Sequence, residues 1–433
     1  MSPHQSKHGA GRAGGKKVFV GMSGGVDSSV AALLLKREGY DVYGIFMRCW
    51  GGGSGPDALG VGVDCAERDA EDARRVAGHL GIPFYVWDFE KEYKKKVVDY
   101  MVEGYRKGLT PNPDVMCNRE IKFGLFFKRA REMGADYVAT GHYVRIGRTR
   151  IKNNELRIKD KKPSFIIRHS LFTARDTNKD QSYFLWTLTQ DQLAHCLFPI
   201  GDYLKPKVRE IARKAGLPTA DKKDSQGICF LGKVDVADFL KRRIKAKKGD
   251  ILDTRGEKVG THDGAYFYTI GQRHLGANAK FLISNVKRSG AKRKEDKKRQ
   301  YVAAKDVKKN ILVIAEGDDN PALYQTKVVL TDVNFISGTY SNVLKNIRVR
   351  NNKINVLARV RYRQPLVAAR IMNNELRNKG QSKIHNSKSL ILKFDQPVKF
   401  LAPGQSAVFY LPAGAGAKAG SGNAEMLGGG VIV

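Results

Sequence analysis

Apolar and polar positions alternate in blocks from residue 16 to about residue 215. The short apolar runs "KVFVGM" (17–22), "DVYGIFMRCW" (41–50), "PFYVWDF" (83–89) and "DYVATGHYV" (136–144) read as buried strands. Between them, "SSVAALLLKREGY" (28–40), "DAEDARRVAGHLGI" (69–82) and "IKFGLFFKRAREMGA" (121–135) carry apolar residues at helical spacing and end near a glycine. Strands alternating with helices predict an α/β domain whose parallel sheet is covered on both faces.

The pattern changes after about residue 220. "GDILDTRGEKVGTHDGAYFYTIGQRHLG" (249–276) is strand and turn material, which predicts a small mixed or β central domain. From about 318 onward, "KVVLTDVNFI", "KINVLARVRYRQ", "SLILKFDQPV" and "SAVFYL" are short β segments between polar turns, and they predict an all-β barrel. The expected organisation is a disordered lead-in over 1–15, an α/β domain over 16–215, a central domain over 216–317 and a barrel over 318–433.

Composition sharpens this picture. The 433-residue chain has a net charge of +34, an excess that points to a polyanionic partner such as nucleic acid. No apolar run is long enough to span a membrane, and the polar N-terminus lacks the apolar centre of a secretion signal. Five scattered cysteines without a Cys-x-x-Cys pair argue against a disulfide framework or structural zinc, and suit a reducing, cytoplasmic setting. Segments 149–170, 278–299 and 372–389 look like inserted basic turns, with net charges of +5, +7 and +3. They are either solvated loops or added phosphate contacts.

The candidate chemistry begins at "GMSGGVDSS" (21–29). A buried strand, a Ser-Gly-Gly turn and a helix make a ready anion site, because the turn brings backbone N–H groups to the positive end of the helix dipole. A Walker loop would place a lysine before the helical serine; Asp27 stands there instead. An acid suits a Mg²⁺ that accompanies bound phosphates.

This stretch resembles the signature of the PP-loop ATP pyrophosphatases, which cleave ATP between its α and β phosphates. With "TPNPDVMCNREIKF" (110–123), "ATGHYVR" (139–145), "NKDQSYFL" (178–185), "DSQGICF" (224–230), "YTIGQRHLG" (268–276), "RYRQP" (361–365), "PGQSAVFY" (403–410) and "LGGGVIV" (427–433), in that order, the chain resembles the bacterial tRNA-specific 2-thiouridylases. The resemblance implies 2-thiolation of the wobble uridine: adenylation of the uracil 2-oxo oxygen, then sulfur transfer from a cysteine persulfide. It implies ATP and Mg²⁺ as cofactors, and tRNA and a persulfide donor protein as partners, with a monomer when free.

The same resemblance assigns residues. Cys117 matches the nucleophile, Cys229 the persulfide carrier, and Asp114 can serve as a general acid or base. Gly21, Met22, Ser23, Gly24, Gly25, Val26, Asp27, Ser28, Met47 and Gly141 match the ATP contacts. Asn112, Pro113 and Asp114 match the contacts with the target base; His142, Lys179, Asp180, Gln181, Arg361, Tyr362 and Gln405 match further tRNA contacts. Cys49 and Cys196 read as small buried apolar residues. Three rival readings stay open: a different PP-loop ligase, a non-catalytic RNA-binding protein, and an iron–sulfur cluster on Asp114, Cys117 and Cys229.

Overall fold

The computed structural model describes residues 15–50, 63–152, 165–224, 227, 229, 236–273, 275, 279–281, 299–336, 353–373, 389–411 and 424–433. The first domain is built on strands β1 (Lys17–Gly21), β2 (Asp41–Arg48), β3 (Phe84–Asp88) and β4 (Tyr137–Thr140). A hairpin follows, β5 (Arg145–Lys152) and β6 (Phe165–Phe172), and then a short strand, β7 (Cys196–Leu197). The parallel sheet has the order β3-β2-β1-β4-β7. The chain leaves β1 toward β2 on one side and returns to β4 on the other. That reversal opens a crevice beyond the carboxyl ends of β1 and β4, where ligands of open α/β sheets bind. Helix α1 (Val26–Arg37) starts at this crevice and buries Val26, Val30, Ala31, Leu33 and Leu35 against the sheet.

The central domain pairs β8 (Gly249–Leu252), β9 (Lys258–His262), β10 (Ala279–Phe281), β11 (Gln300–Asp306) and β12 (Ile311–Glu316) in one mixed sheet. The last domain contains β13 (Tyr324–Phe335), β14 (Lys353–Arg359), β15 (Val367–Asn373), β16 (Leu390–Lys399), β17 (Ser406–Leu411) and β18 (Glu425–Ile432). They run in the order β13-β16-β15-β14-β17-β18, and pairing of β13 with β18 closes the barrel. Closure covers β18 from Gly428 to Ile432 and so removes most of the free sheet edge.

The expected fold classes are present, and one expectation is corrected. The segment 149–170 is not wholly an insert: Thr149–Ile151 pair with Ile166–Arg168 in the β5–β6 hairpin, which adds to the barrel sheet through Leu171 and Phe172 against Met426 and Glu425. Likewise Ala279–Phe281 and Met372–Asn373 belong to strands. The centres of all three segments, 153–164, 282–298 and 374–388, lie outside the described residues, as do the lead-in 1–14 and the segment 412–423.

The α/β domain and barrel share one core. Tyr183 donates its hydroxyl to the Ser406 carbonyl at 2.8 Å, and Trp186 Nε1 donates to Ser406 Oγ at 3.1 Å. The Trp186 indole lies so close to Gly429 that a Cβ there would meet its Cγ at 2.7 Å, which explains a glycine in "LGGGVIV". At the centre of this contact Arg359 pairs with Asp180 at 2.5 Å, their side chains 7% and 3% exposed. Asp180 also accepts from Ala174 N, Ser182 N and Ser182 Oγ.

A fully bonded carboxylate in such a place is a structural residue. Asp180→Ala leaves Arg359 buried and unpaired, which destabilises by roughly 3–5 kcal/mol. Denaturant unfolding without RNA should show that loss. A residue that only contacts RNA would leave the unfolding midpoint unchanged.

Candidate active site

The loop after β1 has the shape that its glycines allow. Gly24 adopts φ +70°, and a Cβ on it would lie 2.2 Å from the Asp69 carbonyl oxygen. Gly25 caps α1, and among the described residues a Cβ on it would meet only Ser23 Oγ, at 3.5 Å, so those residues leave this face of the loop open. Ser28 Oγ accepts from Ser23 N at 3.1 Å and Ser29 Oγ donates to the Gly25 carbonyl at 2.8 Å, which braces the turn. Gly141, just after β4, approaches the other side of the loop: its Cβ would sit 2.6 Å from Ser28 N. Met47 is buried at 4%, its methyl 3.0 Å from where a Gly21 Cβ would lie, so only its backbone is left to meet a ligand. Gly21, Met22, Ser23, Val26 and Asp27 thus lie with these residues around one turn. A compact, open-faced turn at a helix N-terminus fits a pyrophosphate group.

The lysine absent from the loop arrives from elsewhere. Lys205, first residue of the helix Lys205–Lys214, places Nζ 2.7 and 2.8 Å from the two Asp27 oxygens and 2.9 Å from Asp224. Tyr143 donates its hydroxyl to Asp27 at 2.8 Å. Asp224 also receives Lys179 at 2.6 Å and Arg209 at 2.7 Å. Burial works against the Asp224 charge, but Lys179 and Lys205 outweigh it and hold its carboxyl down to about 2. A sequence reading confined to the loop misses Lys205, Tyr143 and Asp224, because they lie 116 to 197 positions from Asp27. The signals are that Tyr143 lies in "ATGHYVR" and that Asp224 opens "DSQGICF".

Cys117 and Cys229, far apart in sequence, come together. Both are free thiols, and their side chains hydrogen-bond to each other. Asp114 Oδ1 accepts the Cys229 backbone N–H at 3.0 Å, and Tyr93 donates its hydroxyl to the Cys229 carbonyl at 2.5 Å. The hydrogen bond from Cys117 and the nearby Lys122 ammonium bring the Cys229 thiol down to about 7 against burial. Burial pushes the Cys117 thiol well up, so it is the protonated partner of the two. Burial also raises the Asp114 carboxyl, which suits a group that exchanges protons.

Cys49 and Cys196 are buried as expected, but Cys49 lies near enough to the pair to interact with it electrostatically. Asp114, Cys117 and Cys229, the residues of the cluster reading, do come together here. The Asp114 oxygen is engaged by an amide, and among the described residues no group of three or more His, Cys, Asp or Glu side chains is placed to hold a metal ion.

The residues matched to RNA contacts gather along the seams between domains. Asn112 caps the short helix Pro113–Met116 through Val115 N at 3.2 Å. Gln405 donates to the Thr110 carbonyl at 2.9 Å, and Gln181 accepts from Tyr143 N at 2.9 Å. Arg361 bonds the Ile270 carbonyl and lies 5.3 Å from the Phe400 ring, and the Tyr362 ring packs at a tilt with its centroid 4.5 Å from that of Phe184. Lys179, Gln181, Arg361, Tyr362 and Gln405 stay partly accessible. His142 and Asp180 are 6% and 3% exposed and are held by protein partners.

A Gly-rich turn at the switch point of a parallel sheet, beside a pair of thiols, defines a nucleotide-binding α/β enzyme that works with sulfur. Comparison with known proteins agrees. Residues 16–233 match the family described as "tRNA methyl transferase HUP domain", 237–316 the "tRNA methyl transferase PRC-barrel domain" and 325–432 the "Aminomethyltransferase beta-barrel domain". The tRNA-specific 2-thiouridylase MnmA 1 of Geobacillus kaustophilus is 42% identical over 395 residues, covering 91% of this chain and 92% of that protein. The MnmA of Bacillus subtilis is 42% identical over 395 residues, 91% of each chain. A solved U34-tRNA thiolase NcsA from Methanococcus maripaludis, with its [4Fe-4S] cluster, is 19% identical over 47% of this chain and 57% of that one, at a TM-score of 0.28, too low for any structural equivalence. The chain belongs to the tRNA-specific 2-thiouridylase family.

Proposed function

We propose that the protein is a tRNA-uridine 2-sulfurtransferase acting on the wobble uridine, with adenylation at the loop after β1 and sulfur transfer at Cys117 and Cys229. One observation carries this reading. Gly141 packs on the phosphate loop while the next residue, His142, faces Lys122 of the thiol site at 3.5 Å. An activated base and a sulfur carrier can therefore share one cleft.

Oxide is a poor leaving group from C2 of uracil. Attack of that oxygen on the α-phosphorus of ATP releases pyrophosphate and makes it a good one. The loop and the α1 N-terminus receive the departing pyrophosphate. Asp27 would hold the accompanying Mg²⁺, which neutralises phosphate charge, and Lys205 shares that carboxylate. Asn112, Pro113 and Asp114 hold the base. The terminal sulfur of a Cys229 persulfide then attacks C2, and AMP leaves. Cys117, deprotonated with help from Asp114, attacks the Cys229 sulfur and breaks the S–S bond. The products are 2-thiouridine and a Cys117–Cys229 disulfide, which an external thiol reduces.

The units 16–215, 216–317 and 318–433 then carry adenylation, sulfur and RNA binding, although the stretch reaching Cys229 rests on the first unit through Asp114. Lys179, Gln181, Arg361, Tyr362 and Gln405 would meet the RNA. A persulfide protein supplies sulfur, in a cytoplasmic setting that keeps thiols reduced. Among the described residues no helix is long and apolar enough to cross a membrane. The test is product identity: with cognate tRNA, ATP should yield AMP and pyrophosphate. ADP and phosphate would contradict the reading, and tRNA-independent pyrophosphate release would favour a different ligase.

The basic segment 278–299 extends the RNA footprint in this reading. Replacing its part 282–298, which leaves strand β10 in place, with a short Gly-Ser turn should flatten the dependence of log K on log salt by about two units, at roughly 0.7–0.9 per phosphate contact. Filter binding across a salt series measures this. An unchanged slope in a folded variant returns the segment to a solvated loop.

A further inference from the structure

We propose that Lys122 is a positioning residue for sulfur transfer, a fixed cation that keeps the sulfur on Cys229 anionic beside Cys117. The proposal rests on the assignment of Cys229 as sulfur carrier and adds a residue that the motif reading did not single out.

The winding of the chain explains the placement. Residues Cys117–Phe126 form a π-helix, with i→i+5 hydrogen bonds in place of i→i+4. Lys122 follows Cys117 by five residues. In an α-helix it would stand roughly 140° around the axis from Cys117. The wider turn brings residue i+5 over residue i, so both side chains face the same cleft. Gly124 accommodates the winding: a Cβ on it would come within 2.8 Å of the Arg119 carbonyl oxygen, five residues back.

The surroundings then fix the ammonium. Lys122 hydrogen-bonds Cys229, and its Nζ lies 3.5 Å from His142 Nε2. His142 Nδ1 is 2.7 Å from Thr140 Oγ1. With Lys122 as donor, Nε2 is the acceptor and Nδ1–H donates to Thr140. Burial and the Lys122 charge both hold His142 neutral. Burial opposes the Lys122 charge, but the Cys229 and Cys117 sulfurs and Asp114 outweigh it and keep the ammonium protonated. Among the described residues, the groups facing Cys229 are Cys117, Asp114 and Lys122 from 113–126, Cys49 from the end of β2, and Tyr93 from the helix Glu90–Tyr93. Among them Lys122 is the one cation.

The chemistry needs such a charge. The Cys229 thiolate attacks the terminal sulfur of a donor persulfide. The donor's S–S bond breaks, the donor departs as a thiolate, and it takes the proton from the new Cys229–S–SH. The Cys229–S–S⁻ that remains is the nucleophile for C2, and a fixed ammonium stabilises it at no reorganisation cost.

The test is pH-dependent alkylation of Cys229 by iodoacetamide in the full chain, read peptide by peptide with mass spectrometry. In the wild type the rate should rise through pH about 7, as thiolate forms. In Lys122→Met the midpoint should move up by one unit or more, and the rate at about pH 6, below both midpoints, should fall by about tenfold. Lys122→Arg keeps the charge and should leave the midpoint in place. Lys122→Gln keeps length and polarity and gives the same reading if the methionine variant does not fold. An unmoved midpoint in a folded neutral variant overturns the proposal. The reading beneath it fails differently, if Cys229→Ser still accepts sulfur and thiolates tRNA.

Discussion

Cys229→Ser should accept no sulfur from a persulfide donor, and Cys117→Ser should accept it and then stall. Both should lower thiolation by roughly 10⁴ or more, the scale for loss of a covalent nucleophile. The two defects separate because the environments of the thiols differ. Cys229 is partly exposed and its thiol is brought down to about 7, so in the proposed scheme it is the thiolate that meets the donor. Cys117 is fully buried and held protonated, so it acts later. Labelled sulfur bound to protein should appear in Cys117→Ser and be missing in Cys229→Ser. Full single-turnover thiolation by Cys117→Ser without reductant would break the two-thiol scheme. Cys196→Ala should retain the chemistry, with some loss of stability from its buried site.

Asp27→Ala should lose adenylation by roughly 10²–10³, as when one preorganised charge contact is removed from a reaction centre. Removing the carboxylate strips Lys205 of a partner at 2.7 Å and Tyr143 of one at 2.8 Å, next to the turn proposed to take pyrophosphate. Loading of sulfur on Cys229 and binding of tRNA should survive. Gly24→Ala should have a similar effect for a steric reason: its Cβ would fall 2.2 Å from a carbonyl oxygen, at φ +70°. Pyrophosphate exchange measures both variants. Normal exchange in Asp27→Ala would remove this residue from the phosphate site.

The α/β order, the barrel and the phosphate turn were legible because each rests on local pattern. Period-2 and helical spacing mark strands and helices, and Gly24 needs φ > 0 for reasons contained in its own turn. The pairing of Cys117 with Cys229 was legible only through the family motifs, since no local rule joins positions 112 residues apart. Lys205 escaped because a salt bridge between distant segments leaves no spacing signal. Lys122 escaped because its facing depends on π-winding, and an α-helical wheel turns it away from Cys117. Asp180 looked like an RNA contact in its motif, yet its bond with Arg359 is set by how the barrel docks. The β5–β6 hairpin was hidden by the charge of its ends, which masked strand alternation on an edge.

Coupling of ATP cleavage to sulfur transfer on RNA within one cleft can be read from a stoichiometric single turnover. Persulfide-loaded protein is mixed with unmodified tRNA, ATP and Mg²⁺, and the tRNA nucleosides and nucleotides are quantified by mass spectrometry. One 2-thiouridine at the wobble position, one AMP and one pyrophosphate are expected per Cys117–Cys229 disulfide formed. Thiolation without ATP, or ATP cleavage to AMP with no sulfur entering the tRNA, would contradict the coupling.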